Sequence, residues 1–370
     1  MAYLIRESTQ EDKDLIFDFN KELQDHRINF RLKKPTQQNY NSDDLIYERE
    51  FVLTENKKNV KAGYTLKSQS FKINNEISQI GYYYNPVTAG LYDKKYNICG
   101  VLLLNDALKK YPNLFCLGMG SYSEPLPKLL KAYKWKFKKI PFFFQICNPQ
   151  AFLENCNYLK NTKIKSFIVD MFKNTGLGWI IIKIVFKLKS LLLFNFSKFP
   201  NVESKEAIRF TNDVDPIWEE VKKYNTFCAV RNSKYLNQLY SDQKFIKLKF
   251  VSSGKIVGWT ISLCTKLNNH KQFGSMKLGS IIDCLSLKGY EKILINKTLK
   301  ILKEKSSDLI ISNQSHIFWK KAFKFNSFIN GPSNFIFAYS QSLTNKLNSN
   351  KNLKDFIHVT RADGDGPINL

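Results

Sequence analysis

From Gln79 to Ile146 the hydrophobic positions switch period several times, which predicts a strand, a helix, a strand, a short helix and a strand. The extended run Gln79-Ile-Gly-Tyr-Tyr-Tyr-Asn-Pro-Val-Thr comes first, followed by a loop with little periodicity. A helix then places Ile98, Val101, Leu102, Leu104 and Leu108 on its apolar side and Asn105, Asp106, Lys109 and Lys110 on the other. Pro112 closes it just past two lysines that suit the negative end of the helix dipole. Leu114-Phe-Cys-Leu-Gly-Met-Gly has the pattern of a buried strand. A short helix is expected near Pro127 to Lys134, and Ile140-Pro-Phe-Phe-Phe-Gln-Ile is an aromatic strand.

Upstream, Tyr3-Leu-Ile-Arg-Glu predicts a first strand. Ser8, Thr9 and Asp12 offer caps for a helix through Leu15, Phe19 and Leu23. Glu50-Phe-Val-Leu-Thr and Val60-Lys-Ala-Gly-Tyr-Thr-Leu are strands joined by the turn-like Glu55-Asn-Lys-Lys-Asn. Downstream, Lys244-Phe-Ile-Lys-Leu-Lys-Phe-Val and Lys255-Ile-Val-Gly-Trp-Thr-Ile-Ser-Leu form a hairpin around Ser252-Ser-Gly. The strand Gly279-Ser-Ile-Ile-Asp-Cys-Leu precedes a helix spaced by Ile295, Leu299 and Leu302. Then come Asp308-Leu-Ile-Ile-Ser-Asn, a helix around Phe318 to Phe325, and the strand Asn334-Phe-Ile-Phe-Ala-Tyr. The element order of the first part recurs without sequence identity, as in a structural repeat.

Residues from Ala151 to Glu203 break this order. Trp179 to Phe194 is the most hydrophobic window, yet Lys183, Lys187 and Lys189 interrupt it short of the ~20 apolar residues that span a membrane. As a helix it gathers Lys183, Lys187 and Ser190 on one polar stripe. Such a helix either packs between domains or lies in a membrane interface. The expected fold class is α/β with mixed sheets. The expected division is residues 1–150 and 205–345 as two domains, 151–204 as a hydrophobic helical connector, and 346–370 as a tail folding back to the interdomain cleft.

The strand, loop and helix start around Lys94-Lys-Tyr-Asn-Ile-Cys-Gly-Val-Leu-Leu resemble the acyl-CoA-binding half of the GNAT (Gcn5-related N-acetyltransferase) superfamily. There a motif Arg/Gln-x-x-Gly-x-Gly/Ala followed by paired leucines holds the pyrophosphate of coenzyme A on loop amides and a helix N-terminus, where an anion is favoured. The matching positions are Lys94, Asn97 and Cys99, with Ile98 between the last two, then Gly100 and Leu102-Leu103. Lys94 keeps the cation, Asn97 tolerates the left-handed backbone a glycine supplies, and Cys99 is larger than glycine but small. The resemblance implies two GNAT-like domains in tandem. The second keeps only Gly289 of the motif, and its Ala229-Val-Arg-Asn-Ser-Lys-Tyr resembles second halves of tandem GNAT-like proteins. It also implies a catalytic tyrosine at the position of Leu130, where none stands; Tyr133 lies on another side of the helix and Phe323 takes the equivalent place in the second domain.

Composition refines this picture. The formal charge of +25 is spread along the whole chain, so solvated lysines account for it and nucleic acid is not an expected partner. Seven cysteines without a Cys-x-x-Cys pair suit free thiols in a reducing compartment. The start of the chain lacks a signal-peptide pattern, so a cytoplasmic location is expected, with contact of 179–194 at the inner face of the plasma membrane as the alternative to interdomain packing. His26, His270, His316 and His358 have no metal spacing, and no metal or tightly bound cofactor is expected. No Gly-x-Ser-x-Gly elbow or Walker loop occurs. Three carboxylates are the catalytic candidates: Asp283 inside an apolar strand, and Asp363 and Asp365 in the glycine-rich tail. For each a plain reading stands beside the catalytic one, a buried paired acid for Asp283 and a solvated tail for the other two.

Together these features lead to an expected acyltransferase that moves an acyl group, acetyl in the first instance, from acyl-CoA to an amine or hydroxyl. An amino sugar in bacterial surface polysaccharide synthesis is the acceptor the resemblance suggests. The competing readings are a Fem-like aminoacyltransferase using aminoacyl-tRNA and a non-catalytic, membrane-peripheral GNAT-like protein.

Overall fold

The computed structural model describes residues 2–35, 46–156, 199–348 and 356–364. The chain starts with β1 (Tyr3–Glu7), α1 (Lys13–Asp25), β2 (Ile46–Glu55), β3 (Asn59–Ile73) and β4 (Glu76–Thr88). Two 3-10 turns, Ala89–Leu91 and Lys94–Tyr96, lead into α2 (Ile98–Lys110). Then follow β5 (Leu114–Leu117), α3 (Pro125–Ala132), β6 (Lys136–Lys139), β7 (Phe142–Ile146) and α4 (Pro149–Asn155). From residue 199 onward come β8 (Glu203–Glu206), α5 (Asp215–Val221), β9 (Phe227–Ala229), α6 (Ser233–Leu239), β10 (Ile246–Ser252) and β11 (Lys255–Lys266). Next are β12 (Lys277–Ser286), α7 (Glu291–Glu304), β13 (Leu309–Asn313), α8 (Ile317–Phe325) and β14 (Ile329–Gly331). β15 (Ile336–Tyr339), α9 (Gln341–Asn348) and β16 (Ile357–His358) close the order.

Two compact units contain these elements, each built on a mixed sheet. Unit 1 takes the chain up to Lys139, then Thr226–Ala229 and the stretch from Asn334 through α9. Its strands run in the order β1-β2-β3-β4-β5-β15-β6, and β9 pairs with the end of β3. Unit 2 takes the remainder, with strand order β14-β7-β13-β12-β11-β10-β8.

In unit 1 the capping signals work as the sequence predicts. Thr9 and Asp12 form a capping box, and Asp12 also receives both guanidinium nitrogens of Arg6 at 2.6 Å. Ile16, Phe19 and Leu23 of α1 are buried against Phe51, Leu53, Tyr64 and Leu66 on one face of the sheet. α2 covers the same core, but through Cys99, Leu103, Leu104 and Ala107, whereas Ile98 is 48% exposed. The apolar side expected from the sequence is therefore rotated. Seven residues in a row, Ile98 to Leu104, are apolar or glycine, and such a run does not fix the phase of a helix.

Among the described residues each unit carries a parallel pair joined by a crossover helix, β4-α2-β5 in unit 1 and β12-α7-β13 in unit 2. Both pairs are short. β4 and β5 are in register only at Gly81↔Leu114 and Tyr82↔Phe115, after which β4 runs on beside β3 alone to Thr88. β12 and β13 pair from Leu278↔Leu309 to Ser280↔Ile311. Each long strand also carries a bulge beyond the pairing. In β4 it falls at Asn85, whose φ of 49° is left-handed, and in β12 it lies opposite Ile261/Ser262. Toward their carboxyl ends the strands of each pair are therefore no longer paired with each other. Among the described residues no helix is long and apolar enough to cross a membrane.

Candidate active site

In a parallel pair joined by a helix, the helix starts at the carboxyl ends of the strands, where open α/β sheets bind ligands. In unit 1 this end carries the loop Gly90 to Gly100. Asp93 caps the 3-10 turn by accepting from the Lys95 backbone N–H at 2.9 Å. Asn97 leads into α2 with φ −57° and ψ −31°, a right-handed helical backbone. The left-handed conformation expected of it is absent, because the turn enters α2 without a reversal. The Asn97 side chain does not cap the N-terminus of α2. Lys94 is exposed and its ammonium has no ion-pair or hydrogen-bond partner among the described residues, while Lys95 leans over the Tyr96 ring and toward Glu55. Cys99 is fully buried; burial and the nearby Glu55 push its thiol up to about 11. A side-chain carbon at Gly100 would meet only Leu129, at an ordinary 3.8 Å, so the loop has space at that point. The expected CoA-binding residues thus share one turn and helix start, with Lys94 its uncommitted cation.

The opposite face of the same sheet holds a group that sequence reasoning missed. Strand alternation turns Phe51 into the core and Glu48 and Glu50 to the other side. Across the sheet, Glu50 lies opposite Thr65, and Thr65 opposite Tyr84, one residue before the bulge. The Lys33 ammonium reaches Glu48 at 2.8 Å, and the Tyr84 hydroxyl donates to the same carboxylate at 2.8 Å. Lys33 also contacts the Tyr84 hydroxyl directly and lies 4.8 Å from its ring centre. Asn85 at the bulge donates to the Arg31 carbonyl at 2.8 Å, which ties the segment after α1 to this spot. The two carboxyls sit in opposed environments. Burial alone raises the Glu48 carboxyl, but Lys33 and the Tyr84 hydroxyl hold it below the usual range. Glu50 has no ion-pair partner among the described residues, and burial pushes it up, with the Glu48 charge adding and Lys33 opposing. Such divergence of neighbouring carboxyls marks candidate acid–base pairs. The polar alternation Glu48-Arg49-Glu50 hides the strand from a hydrophobicity pattern, and Asn85-Pro86 inside a strand is the one signal that pointed here.

Unit 2 fills the corresponding places with its own side chains. At its loop, Gly289 adopts φ 97° and donates its N–H to the Glu291 carboxylate at 2.9 Å, so a protein anion sits at the start of α7. Beside its bulge, Asp283 and Asp363 come together on one arginine. Arg231 places Nε 3.0 Å from both Asp283 oxygens and a terminal nitrogen 2.9 Å from Asp363. All three are at most 2% exposed. Tyr240 and the Cys284 N–H also donate to Asp283, each at 2.9 Å. Asp363 closes a capping box with Thr360, and Thr360 bridges to Gln314. Ser315 hydrogen-bonds the backbone on either side of His358, pinning residues 357–359 to the end of β13. His316 is buried with neither ring nitrogen paired; burial, helped by Lys320, pushes it down to about 4. Asp365, the third carboxylate candidate, and the 179–194 window lie outside the described residues.

The remaining positions singled out from the sequence have settled partners. Leu130 is fully buried and Tyr133 donates to Asn105 at 2.8 Å, so no tyrosine takes the place the GNAT resemblance implies. All seven cysteines are free thiols. Among the described residues no group of His, Cys, Asp and Glu is arranged to hold a metal ion.

No protein-family model and no curated protein matches the chain. Solved structures with the GNAT fold do. A probable N-acyltransferase from Enterococcus faecalis V583 aligns with a TM-score of 0.50 and 9% identity over 91% of this chain and 72% of that one. A GCN5-related glucosamine N-acetyltransferase region of a fungal multi-domain GH3 β-N-acetylglucosaminidase aligns with 0.50 and 11%, over 91% of this chain and 38% of that one. At such identities the likeness establishes the fold, a mixed α/β architecture of the GNAT type.

Proposed function

We propose that the protein transfers an acyl group from an acyl-CoA thioester to an amine or hydroxyl acceptor, and that unit 1 does the chemistry. The observation that carries this reading is the end of β4–β5 pairing after Tyr82↔Phe115, followed in the chain by the uncommitted Lys94 side chain and the start of α2. A pyrophosphate placed there meets a free cation and the positive end of a helix dipole. Among its described residues unit 2 offers no such place, because Glu291 already takes the Gly289 amide and Arg231 is held by Asp283 and Asp363. Asp283 and Asp363 enter this reading as the groups that hold residues 356–364 in unit 2, and the two units as a tandem pair of which one is active.

On the acceptor side, Glu50 takes the proton that the attacking nitrogen or oxygen loses. The nucleophile then adds to the thioester carbonyl carbon, the carbon–sulfur bond breaks, and the thiolate leaves and takes a proton from solvent, to which Glu50 returns the one it accepted. Glu48, kept ionised by Lys33, raises the basicity of Glu50 and favours a cationic, protonated amine nearby. Acetyl-CoA is the proposed donor and an amino sugar the proposed acceptor, in line with the glucosamine acceptor named for the fungal neighbour.

Thiol release from acetyl-CoA with glucosamine as the probe tests this reading. Glu50→Gln is expected to lower the rate about 100-fold, the usual scale for loss of a general base. The wild-type rate should fall on the acid side as Glu50 protonates, at a pH above the ordinary glutamate range, and that limb should vanish in the variant. Equal rates and matching pH profiles for both proteins would remove Glu50 from the mechanism.

A further inference from the structure

Within the general excess of lysine, one stretch of unit 2 is strongly basic. Residues 288–330 hold nine lysines against three acidic residues. Two of those acids have structural partners, Glu291 on the Gly289 amide and Asp308 on Asn148 and the Lys277 N–H. In unit 2 this stretch surrounds an open basin of about 730 Å³, lined by Lys292, Lys321, Lys324, Phe325, Phe328 and Ile329, with Asn330 at its margin. The floor is hydrocarbon. Ile329 is 40% exposed on the outermost strand of the sheet, and the Lys292 ammonium lies 4.6 Å from the centre of the Phe325 ring. Lys321 and Lys324, one turn apart on α8, have no acidic partner among the described residues.

We infer that this basin is where the protein rests on an anionic phospholipid bilayer. Three ammonium groups around a greasy floor with an exposed isoleucine at its edge complement a layer that presents phosphates at its surface and acyl chains beneath. Long lysine stems lie along such an apolar floor while their heads stay in the polar layer. An exposed isoleucine adds burial that a purely ionic partner does not reward. A nucleic acid supplies the same negative charge but leaves Ile329 and the floor in water. The inference does not depend on the acyl-transfer reading, because none of these residues belongs to unit 1.

Sedimentation of the full chain with vesicles tests it. Wild-type protein is expected to pellet with mixed phosphatidylglycerol and phosphatidylcholine, to stay in solution with phosphatidylcholine alone, and to be released by salt. The triple variant Lys292→Glu, Lys321→Glu, Lys324→Glu is expected to bind more than about 100-fold more weakly, since each lysine near such a surface contributes roughly fivefold. Ile329→Ser should weaken binding with the charge unchanged. Circular dichroism melts of the variants, expected to match the wild type, separate loss of binding from loss of fold. Changing Lys13, Lys57 and Lys58 of unit 1 to Glu instead alters net charge equally, and should leave binding within a few fold. The inference is overturned if wild type ignores anionic vesicles, or if the control triple loses as much as the basin triple. It is also overturned if millimolar inorganic phosphate alone displaces the protein, or if the basin triple loses tRNA binding and not vesicle binding.

Discussion

Replacing Arg231 by methionine is expected to destabilise unit 2 by about 3–5 kcal/mol, a large share of the stability of an ordinary domain. Methionine roughly keeps the volume of the arginine stem, so the loss is electrostatic. Asp283 and Asp363 would face each other with no cation, both inside the protein. The Asp283 carboxyl is already pushed up by burial, against the pull of Arg231, and removing that pull raises it further. A carboxyl whose folded pKa lies above its unfolded one binds protons on folding, so the fold gains stability as pH falls. The deficit of the variant should therefore be largest near neutral pH and shrink as the solution is acidified toward pH 5. Urea titrations of both proteins at the two pH values measure it. An equal deficit at both would mean that packing, and not charge, is what Arg231 supplies. Asp363→Asn, which leaves the Asp283 pair intact, is expected to cost less than the loss of Arg231.

The local elements were open to sequence reading wherever one period dominated. α1 has Ile16, Phe19 and Leu23 inside, with Thr9 and Asp12 ahead of it, and both its start and its buried side follow from that spacing. The hairpins β2–β3 and β10–β11 follow from strand alternation around Asn, Lys and Gly turns. α2 shows where the pattern runs out, because an apolar stretch without polar interruption leaves the rotation of the helix to tertiary packing. Pairing over long sequence separations leaves still less trace. Nothing local in Ile336-Phe-Ala-Tyr says that it lies between β5 and β6, or in Phe142-Phe-Phe-Gln-Ile that it lies between β13 and β14.

The site divides in the same way. The loop of Lys94, Asn97, Ile98, Cys99 and Gly100 could be located from sequence because its residues are consecutive. Arg231 was visible only within Ala229-Val-Arg-Asn-Ser-Lys-Tyr, the stretch that resembles second halves of tandem GNAT-like proteins, and Asp283 as a charge in an apolar strand, but their partnership spans 52 residues and depends on the sheet. Glu48, Glu50 and Tyr84 were out of reach for a related reason. They come from two strands, Glu48 and Tyr84 meeting at Lys33 and Glu50 following Glu48 on the same face, and no spacing rule relates them.

The second large effect concerns the donor site. If an acyl-CoA pyrophosphate rests on Lys94 and the start of α2, binding favours the folded state by mass action. At a hundredfold excess over the dissociation constant the gain is about 2.7 kcal/mol. Lys94 has no other partner among the described residues to compensate for its loss, so Lys94→Glu puts a like charge beside the phosphates with little effect on the empty protein. Gly100→Ala should be milder in the absence of ligand, since the added carbon meets Leu129 at 3.8 Å. The most direct measurement is the thermal unfolding of wild type and Lys94→Glu with and without saturating acetyl-CoA. The account predicts a clear rise in melting temperature for the wild type and most of that rise lost in the variant. No rise in the wild type, or the same rise in both, would contradict it.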